Sequence, residues 1–333
     1  MGRLLGVELA RLRWRRAVRV LVAAAFVIPL FVFGGTAWST RPVSEAEIAE
    51  ATAQAEQEAQ QPYVQESIEM CLEDPEMYFG PGFETEDPEQ ECIDANTPRD
   101  EWYLQRSPLD VPSVVNDLGT AIPVILAVLM LLAAATYVGA DWASGSMSNQ
   151  LLFEPRRGRV WAAKALVLAI VGAVVGLVVQ TLFWVGVRGL AASRDIAVPG
   201  QTWDLVPGIV LRGTLIVVGA ALLGYSLTML FRSTVVTLGI LFGVAVASTI
   251  IIAALPLGGD NERYMLHTNV GAVVQDGVDY YSSESYTCTY EDGVESCDGQ
   301  RRLSLAGGAS YLALILLLPG FAGLATFRRR DVP

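Results

Sequence analysis

Three rare residue types decide which chemistries this chain can perform. It has a single lysine, Lys164, a single histidine, His267, and four cysteines. Lys164 is followed by Ala165, so a phosphate-cradling loop of the form G-x-x-x-x-G-K-[ST] occurs nowhere, and nucleotide hydrolysis by that route is excluded. One histidine rules out H-E-x-x-H and other multi-histidine zinc sites, and no metal or catalytic residue is assigned. The nearest approach to a nucleophile and base is His267 with the hydroxyls of YYSSESYT, residues 280–287; an ordinary exposed histidine explains it better.

The cysteines are Cys71, Cys92, Cys288 and Cys297, all in two long polar segments. No C-x-x-C spacing or neighbouring histidine supports a metal or redox pair. An even number in an oxidising compartment reads as disulfides, with three possible connectivities. Cys71–Cys92 and Cys288–Cys297 are preferred because each closes a short loop, and each is expected to stabilise its loop by roughly 3 kcal/mol.

The elements that must carry these residues follow from composition. The chain is 52% hydrophobic and 17% charged, with mean hydropathy +0.41, yet holds 35 acids against 23 bases for a net charge of -12. A bilayer core of roughly 30 Å takes about 20 apolar residues as helix. Six stretches qualify, at 17–38, 119–140, 161–187, 205–230, 235–255 and 303–327. The fold class expected is therefore an all-α membrane protein with six transmembrane helices. Span one exceeds the apolar run of a signal peptide and no A-x-A-like site follows it, so it is read as retained.

Arginine and lysine set the orientation. Arg3, Arg11, Arg13, Arg15, Arg16 and Arg19 precede or open span one; Arg156, Arg157, Arg159 and Lys164 follow span two; Arg232 lies between spans four and five; Arg328, Arg329 and Arg330 end the chain. In a six-span arrangement all of these fall on one side, which places both termini in the cytoplasm. The inner segments then sum to +10 and the outer loops to -22, with Asp117 and Arg212 cancelling, which returns -12. The acidity belongs to an outer surface set over a basic inner one, and no nucleic-acid partner is expected.

The outer loops are 39–118, 188–204 and 256–302. The first begins SEAEIAEATAQAEQEAQQ, a helix-forming composition that would prolong span one outward and then give way to an irregular loop. The last contains β-formers and Asp-Gly turns, which predict a short hairpin. Ionisable groups inside spans are expensive and mark ion pathways; only Asp117 and Arg212 come close, and interfacial placement explains them better than an ion relay, although they could pair.

Two inner segments carry the strongest patterns. GRLLGVELARLRWRRAVRV places Leu5, Leu9 and Leu12 at helical spacing with Arg11, Arg15 and Arg19 on another side, the pattern of an interfacial amphipathic helix over residues 1–16 lying on membrane lipid. GADWASGSMSNQLLFEPRRGRVWAAK, residues 139–164, combines small residues, a short amphipathic piece, a proline stop and basic residues. It suits either a short helix that plugs into a soluble partner or a tight basic connector.

This second segment resembles the first cytoplasmic loop of ABC-2 type transporter permeases. The matching residues are Asp141, Gly145, Ser146, Leu151, Leu152, Pro155, Arg157 and Lys164, with Asp141 standing where the family often has Glu. The C-terminal FRRRDV resembles the family's ending, and the basic N-terminus resembles its elbow helix, with Arg11, Arg15 and Arg16. The resemblance implies a permease subunit of an exporter that works by alternating access beside a second, identical or homologous permease. ATP and Mg would act in separate P-loop ATPase subunits, with no cofactor in this chain. The loop 141–160 would couple to that ATPase through Asp141, Gly145, Ser146, Met147, Leu151, Leu152, Glu154, Pro155, Arg156 and Arg157; 231–234 and 328–333 would be the remaining inner turn and tail. The expected location is a bacterial plasma membrane. The rival readings are an ion-coupled secondary transporter and a membrane-anchored receptor or scaffold acting through its outer loops.

Overall fold

The structure is a computed structural model. It describes the chain except residues 1, 81–82, 84, 86, 105, 256–259, 283–286, 292–293 and 330–333; at 249, 253, 287–291 and 294–298 it describes the backbone alone. Two compact units emerge. The first comprises Met1–Gly34, Asp110–Glu284 and Gln300–Pro333, and the second Gly35–Leu109 with Ser285–Gly299.

The first unit is built from long apolar helices. In chain order these are α1 (Gly2–Trp14), α2 (Arg16–Ser39, whose last turn belongs to the second unit), α7 (Val111–Ala143), α8 (Ser146–Phe153), α9 (Arg157–Ser193), α10 (Gly200–Phe231), α11 (Thr234–Ala254), α12 (Leu266–Val274) and α13 (Leu305–Arg329). Six of them, α2, α7, α9, α10, α11 and α13, are long and apolar enough to cross a membrane. The chain is thus a multi-pass membrane protein. Hydropathy locates only the part of each helix that lies in hydrocarbon. The 37 residues of α9 rise about 56 Å at 1.5 Å per residue, so its ends run well past the expected 161–187. The sixth helix starts later than expected, because Leu303 belongs to a strand.

Helix α10 is the central element, packed against α7, α9 and α13. Lipid offers no hydrophobic drive between helices, so close backbone approach supplies the contact. At Gly224 a Cβ would stand 2.5 Å from the carbonyl oxygen of Leu131 on α7, a spacing only glycine permits. Gln180 Nε2 on α9 donates to Thr214 Oγ1 on α10 at 3.2 Å and to the Gly176 carbonyl at 3.0 Å, which satisfies the amide nitrogen inside the bundle. By contrast, α11 fully buries only Thr237 among its described side chains.

Between α11 and α13 the chain forms α12 and a two-stranded antiparallel ribbon of β1 (Val278–Tyr281) and β4 (Gln300–Leu303), with Val278 opposite Leu303. Ala272, Tyr280 and Leu303 share a small core there. The strands fall in the segment after the fifth long helix, where β-formers and Asp-Gly turns predict a hairpin, and the spans themselves are helical. Arg212 pairs here rather than with Asp117: its Nε donates to the Val274 carbonyl at 3.0 Å and its Nη1 lies 3.3 Å from Asp276, while Asp117 is exposed.

The second unit holds four shorter helices, α3 (Glu45–Ala59), α4 (Pro62–Glu73), α5 (Pro75–Phe79) and α6 (Pro88–Asn96), and the antiparallel pair β2 (Thr287–Glu291) and β3 (Val294–Asp298). Helix α3 does not prolong the first span. Pro42 forces Arg41 out of helical geometry, the backbone stays irregular to Ser44, and Ser44 with Glu47 forms a capping box that starts a new helix. Pro75 and Pro88 open their helices behind Asp74 and Asp87, whose carboxylates accept from Met77 N at 3.0 Å and Gln90 N at 3.1 Å. Cys71 and Cys92, both buried, join α4 to α6 as a disulfide with Cα atoms 5.7 Å apart. Cys288 and Cys297 oppose each other in the backbone register of β2 and β3, and their side chains lie outside the described residues.

Candidate functional site

One end of the first unit gathers the basic segments. Its centre is a chain of polar groups, buried in the middle, that begins on α1 and ends just beyond it. Arg11 Nη1 donates to Gln150 Oε1 on α8 at 3.2 Å, and Gln150 Nε2 donates to Glu8 Oε1 on α1. Lys164 Nζ on α9 donates to Glu8 Oε2 at 2.8 Å and to Asp141 Oδ2 on α7 at 2.6 Å. Asp141 Oδ1 then accepts from Arg15 Nη2, just beyond α1, at 2.6 Å. Tyr137 OH donates to Glu8 Oε2, and its ring lies 5.1 Å below the Lys164 ammonium.

Each element places its members by helical spacing. Glu8, Arg11, Leu12 and Arg15 stand at i, i+3, i+4 and i+7, one stripe of α1 and its end. Tyr137 and Asp141 are one turn apart on α7, and Met147 and Gln150 share the buried face of α8. Gly145, at φ +68°, provides the left-handed turn that lets the chain leave α7 and start α8 at once.

The electrostatics are complete. Glu8, Asp141 and Lys164 are fully buried, Arg15 is partly exposed, and two carboxylates meet two cations. All four carboxylate oxygens accept a hydrogen bond. Burying ions costs several kcal/mol each unless geometry and hydrogen bonds compensate; here they do, so the junction is rigid while intact and sensitive to loss of any member. The junction ties α8 and α9 to α1, and α7 to both α1 and α9.

The residues drawn from the sequence fall on two faces of this junction. Asp141 and Met147 are buried within it, and Ser146 and Leu151 are half-buried. Leu152 and Phe153 project outward, 80% and 90% exposed, with Glu154, Pro155 and Arg156 following. Arg157 opens α9 and donates to the Phe327 carbonyl at the end of α13 at 3.2 Å, and Arg232 stacks over Trp142 at 4.9 Å. Arg16 is exposed at the start of α2. Arg330 to Val332 of the C-terminal motif lie outside the described residues. His267 is exposed, and Ser283 to Tyr286 also lie outside the described residues. Among the described residues, no group of three or more His, Cys, Asp or Glu side chains gathers to hold a metal.

Sequence reasoning missed Glu8, Tyr137 and Gln150, and took Lys164 for a flanking charge although it falls inside the third span. One signal was available: Glu8 is the sole acid among the six arginines of the N-terminal segment.

The chain thus presents a multi-pass helical bundle with a loop helix pinned at its basic end. The whole-chain comparison names the class: the model of the ABC-2 family transporter proteins matches residues 8–332, and the chain belongs to that family. The match begins at Glu8 and includes every member of the junction. No curated protein and no solved structure matches the chain.

Proposed function

We propose that the chain is the permease subunit of an ABC-type exporter, which forms the substrate path and draws on ATP hydrolysed with Mg in separate P-loop subunits. The two-sided character of α8 carries this reading. Met147 and Gln150 tie the helix inward, while Leu152 and Phe153 present a bare apolar tip beside Glu154, Pro155 and Arg156. A short helix held this way suits a groove on a soluble partner. The arginines gathered at the same end support a cytoplasmic orientation, the side on which such a partner resides. Because the buried junction joins α8 to α1, α7 and α9, a push on α8 reaches two spans and shifts them between inward- and outward-facing states. A second permease, identical or homologous, completes the path.

The test is association and coupling. Full-length protein purified in a mild detergent is expected to carry a P-loop ATPase. Leu152→Asp with Phe153→Asp is expected to release it and leave the thermal stability of the permease unchanged. Retention of the ATPase by a stably folded double variant would remove α8 from this role.

A further inference from the structure

The second unit contains a cavity of about 480 Å³ formed wholly by its own residues. Trp38, Arg41, Glu50, Tyr103, Leu104 and Arg106 are among its walls. Glu47 also lines it, but its carboxylate is already engaged. It accepts from Ser44 N at 2.9 Å, from Ser44 Oγ at 2.8 Å and from Arg106 Nη2. The lining therefore holds two guanidinium groups and, besides Glu47, one carboxylate, that of Glu50, with no ion pair among the described residues.

Both arginines are held in place with donors to spare. Arg106 has a largely buried side chain, 13% exposed, and gives Nη2 to Glu47; its Nη1 is buried with no acceptor among the described residues. An unsatisfied donor on a buried cation is costly, and an entering oxyanion would relieve it. The Arg41 guanidinium carbon stands over the Trp38 ring, 4.3 Å from its centroid, and Nη1 donates to the Trp38 carbonyl at 3.5 Å. These contacts hold the guanidinium at the cavity before any ligand arrives, and its remaining donors suit phosphate in two-pronged fashion. Trp38, Val43 and Leu104 supply an apolar wall. Trp38 lies in the last turn of α2, a position typical of tryptophan at the level of lipid headgroups. Glu50 disfavours a doubly charged anion and suits a ligand whose cationic or hydroxyl part comes to its side.

We infer that this cavity is a binding site for a phosphate-bearing amphiphile, with Arg106 and Arg41 on the phosphate, Glu50 facing its polar substituent and Trp38 with Leu104 on its apolar part. The site is separate from the junction at α8, and it stands or falls independently of the transport reading.

The experiment is titration calorimetry on the full chain in a maltoside detergent, which carries no phosphate. Three probes separate the sources: dihexanoyl phosphatidylcholine, dihexanoyl glycerol without phosphate, and inorganic phosphate. Saturable binding of the phospholipid is expected, with each of the other two probes at least about tenfold weaker, since each lacks one of the two recognition elements. Arg106→Gln is expected to weaken phospholipid binding by about tenfold or more through loss of charge-assisted bonds. Because Arg106 also pairs with Glu47, Arg41→Gln provides a second variant that leaves that pair intact, and it is expected to weaken binding in the same direction. Phospholipid affinity unchanged in Arg41→Gln and Arg106→Gln would overturn the site. Inorganic phosphate binding as tightly as the phospholipid would overturn the amphiphile and reduce the cavity to a simple anion site. Dihexanoyl glycerol binding as tightly would overturn the role of the arginines.

Discussion

Replacing Lys164 with methionine is the most direct test of the buried junction. Methionine fills most of the lysine's volume, so the change removes charge and two hydrogen bonds with little new cavity. It leaves Glu8 Oε2 with Tyr137 alone and Asp141 Oδ2 with no partner, both in fully buried residues. Removing one partner of a buried ion pair costs about 3–5 kcal/mol because the other charge is left uncompensated. Asp141 retains Arg15 at 2.6 Å, so the greater share of the penalty falls on Glu8, and the lower end of the range, about 3 kcal/mol, is expected. That corresponds to roughly a hundredfold change in the equilibrium between docked and released α1. Adding Glu8→Gln to Lys164→Met removes the stranded charge and is expected to recover about 2 kcal/mol, a coupling typical of directly bonded groups. The assay is equilibrium unfolding in detergent, together with limited trypsin digestion at Arg11, Arg13 and Arg15, which becomes faster when α1 is released. A Lys164→Met protein within about 0.5 kcal/mol of the parent, the scatter of ordinary surface changes, with unchanged digestion and no coupling to Glu8→Gln, would refute the reasoning.

Two further expectations concern the second unit. Reduction of Cys71–Cys92, or Cys71→Ser with Cys92→Ser, opens a closed stretch with sequence separation 21; a loss of about 3 kcal/mol is expected, visible as faster hydrogen exchange across α4 and α6 with α7 to α10 unaffected. The Glu47 carboxyl is held below the ordinary glutamate value, chiefly by the hydrogen bond from the Ser44 backbone and then by the Ser44 side chain and the charge of Arg106. A carboxyl lowered in the folded state adds stability that is fully present above its unfolded value and is lost as the pH falls through its folded one. Helix α3 is therefore expected to loosen on acidification below the usual glutamate range, and Glu47→Gln to remove that pH dependence; hydrogen exchange at two acidic pH values measures both.

Different physical scales made different parts of this molecule legible in the sequence. The six spans are a matter of summed hydropathy over about 20 residues, and each helix in the structure contains or closely tracks its expected stretch. Their ends depend on single residues that a window average hides. Pro42 stops the first span from running on into α3, and Leu303 pairs in a ribbon rather than starting α13. Tertiary partners were less accessible still. A pairing of Arg212 with Asp117 was open from the sequence, yet the turn after α12 delivers Asp276 to Arg212. The α8 segment was visible through its small residues, leucines and proline, whereas the junction that holds it was not, because Glu8 and Lys164 are 156 positions apart and meet only after α7 and α9 have packed.

The ionic form of the junction has a consequence that an apolar seam would lack. Hydrophobic residues at the same places would hold α1 equally well or better, but dispersion contacts are non-directional and tolerate a slip of one turn. Here a slip of α1 by one turn in one direction brings Leu4 or Leu5 opposite Lys164 and leaves the ammonium with Asp141 alone. A slip in the other direction brings Arg11 or Leu12 there, so α1 offers the ammonium a like charge or an apolar side chain in place of Glu8. Gln150 adds the same constraint to α8, since it accepts from Arg11 and donates to Glu8 across a single turn of α1. Only one register satisfies every member of the ring. That makes the position of α8 relative to α7 and α9 single-valued, which is what the proposed coupling role asks of a short helix with exposed Leu152 and Phe153.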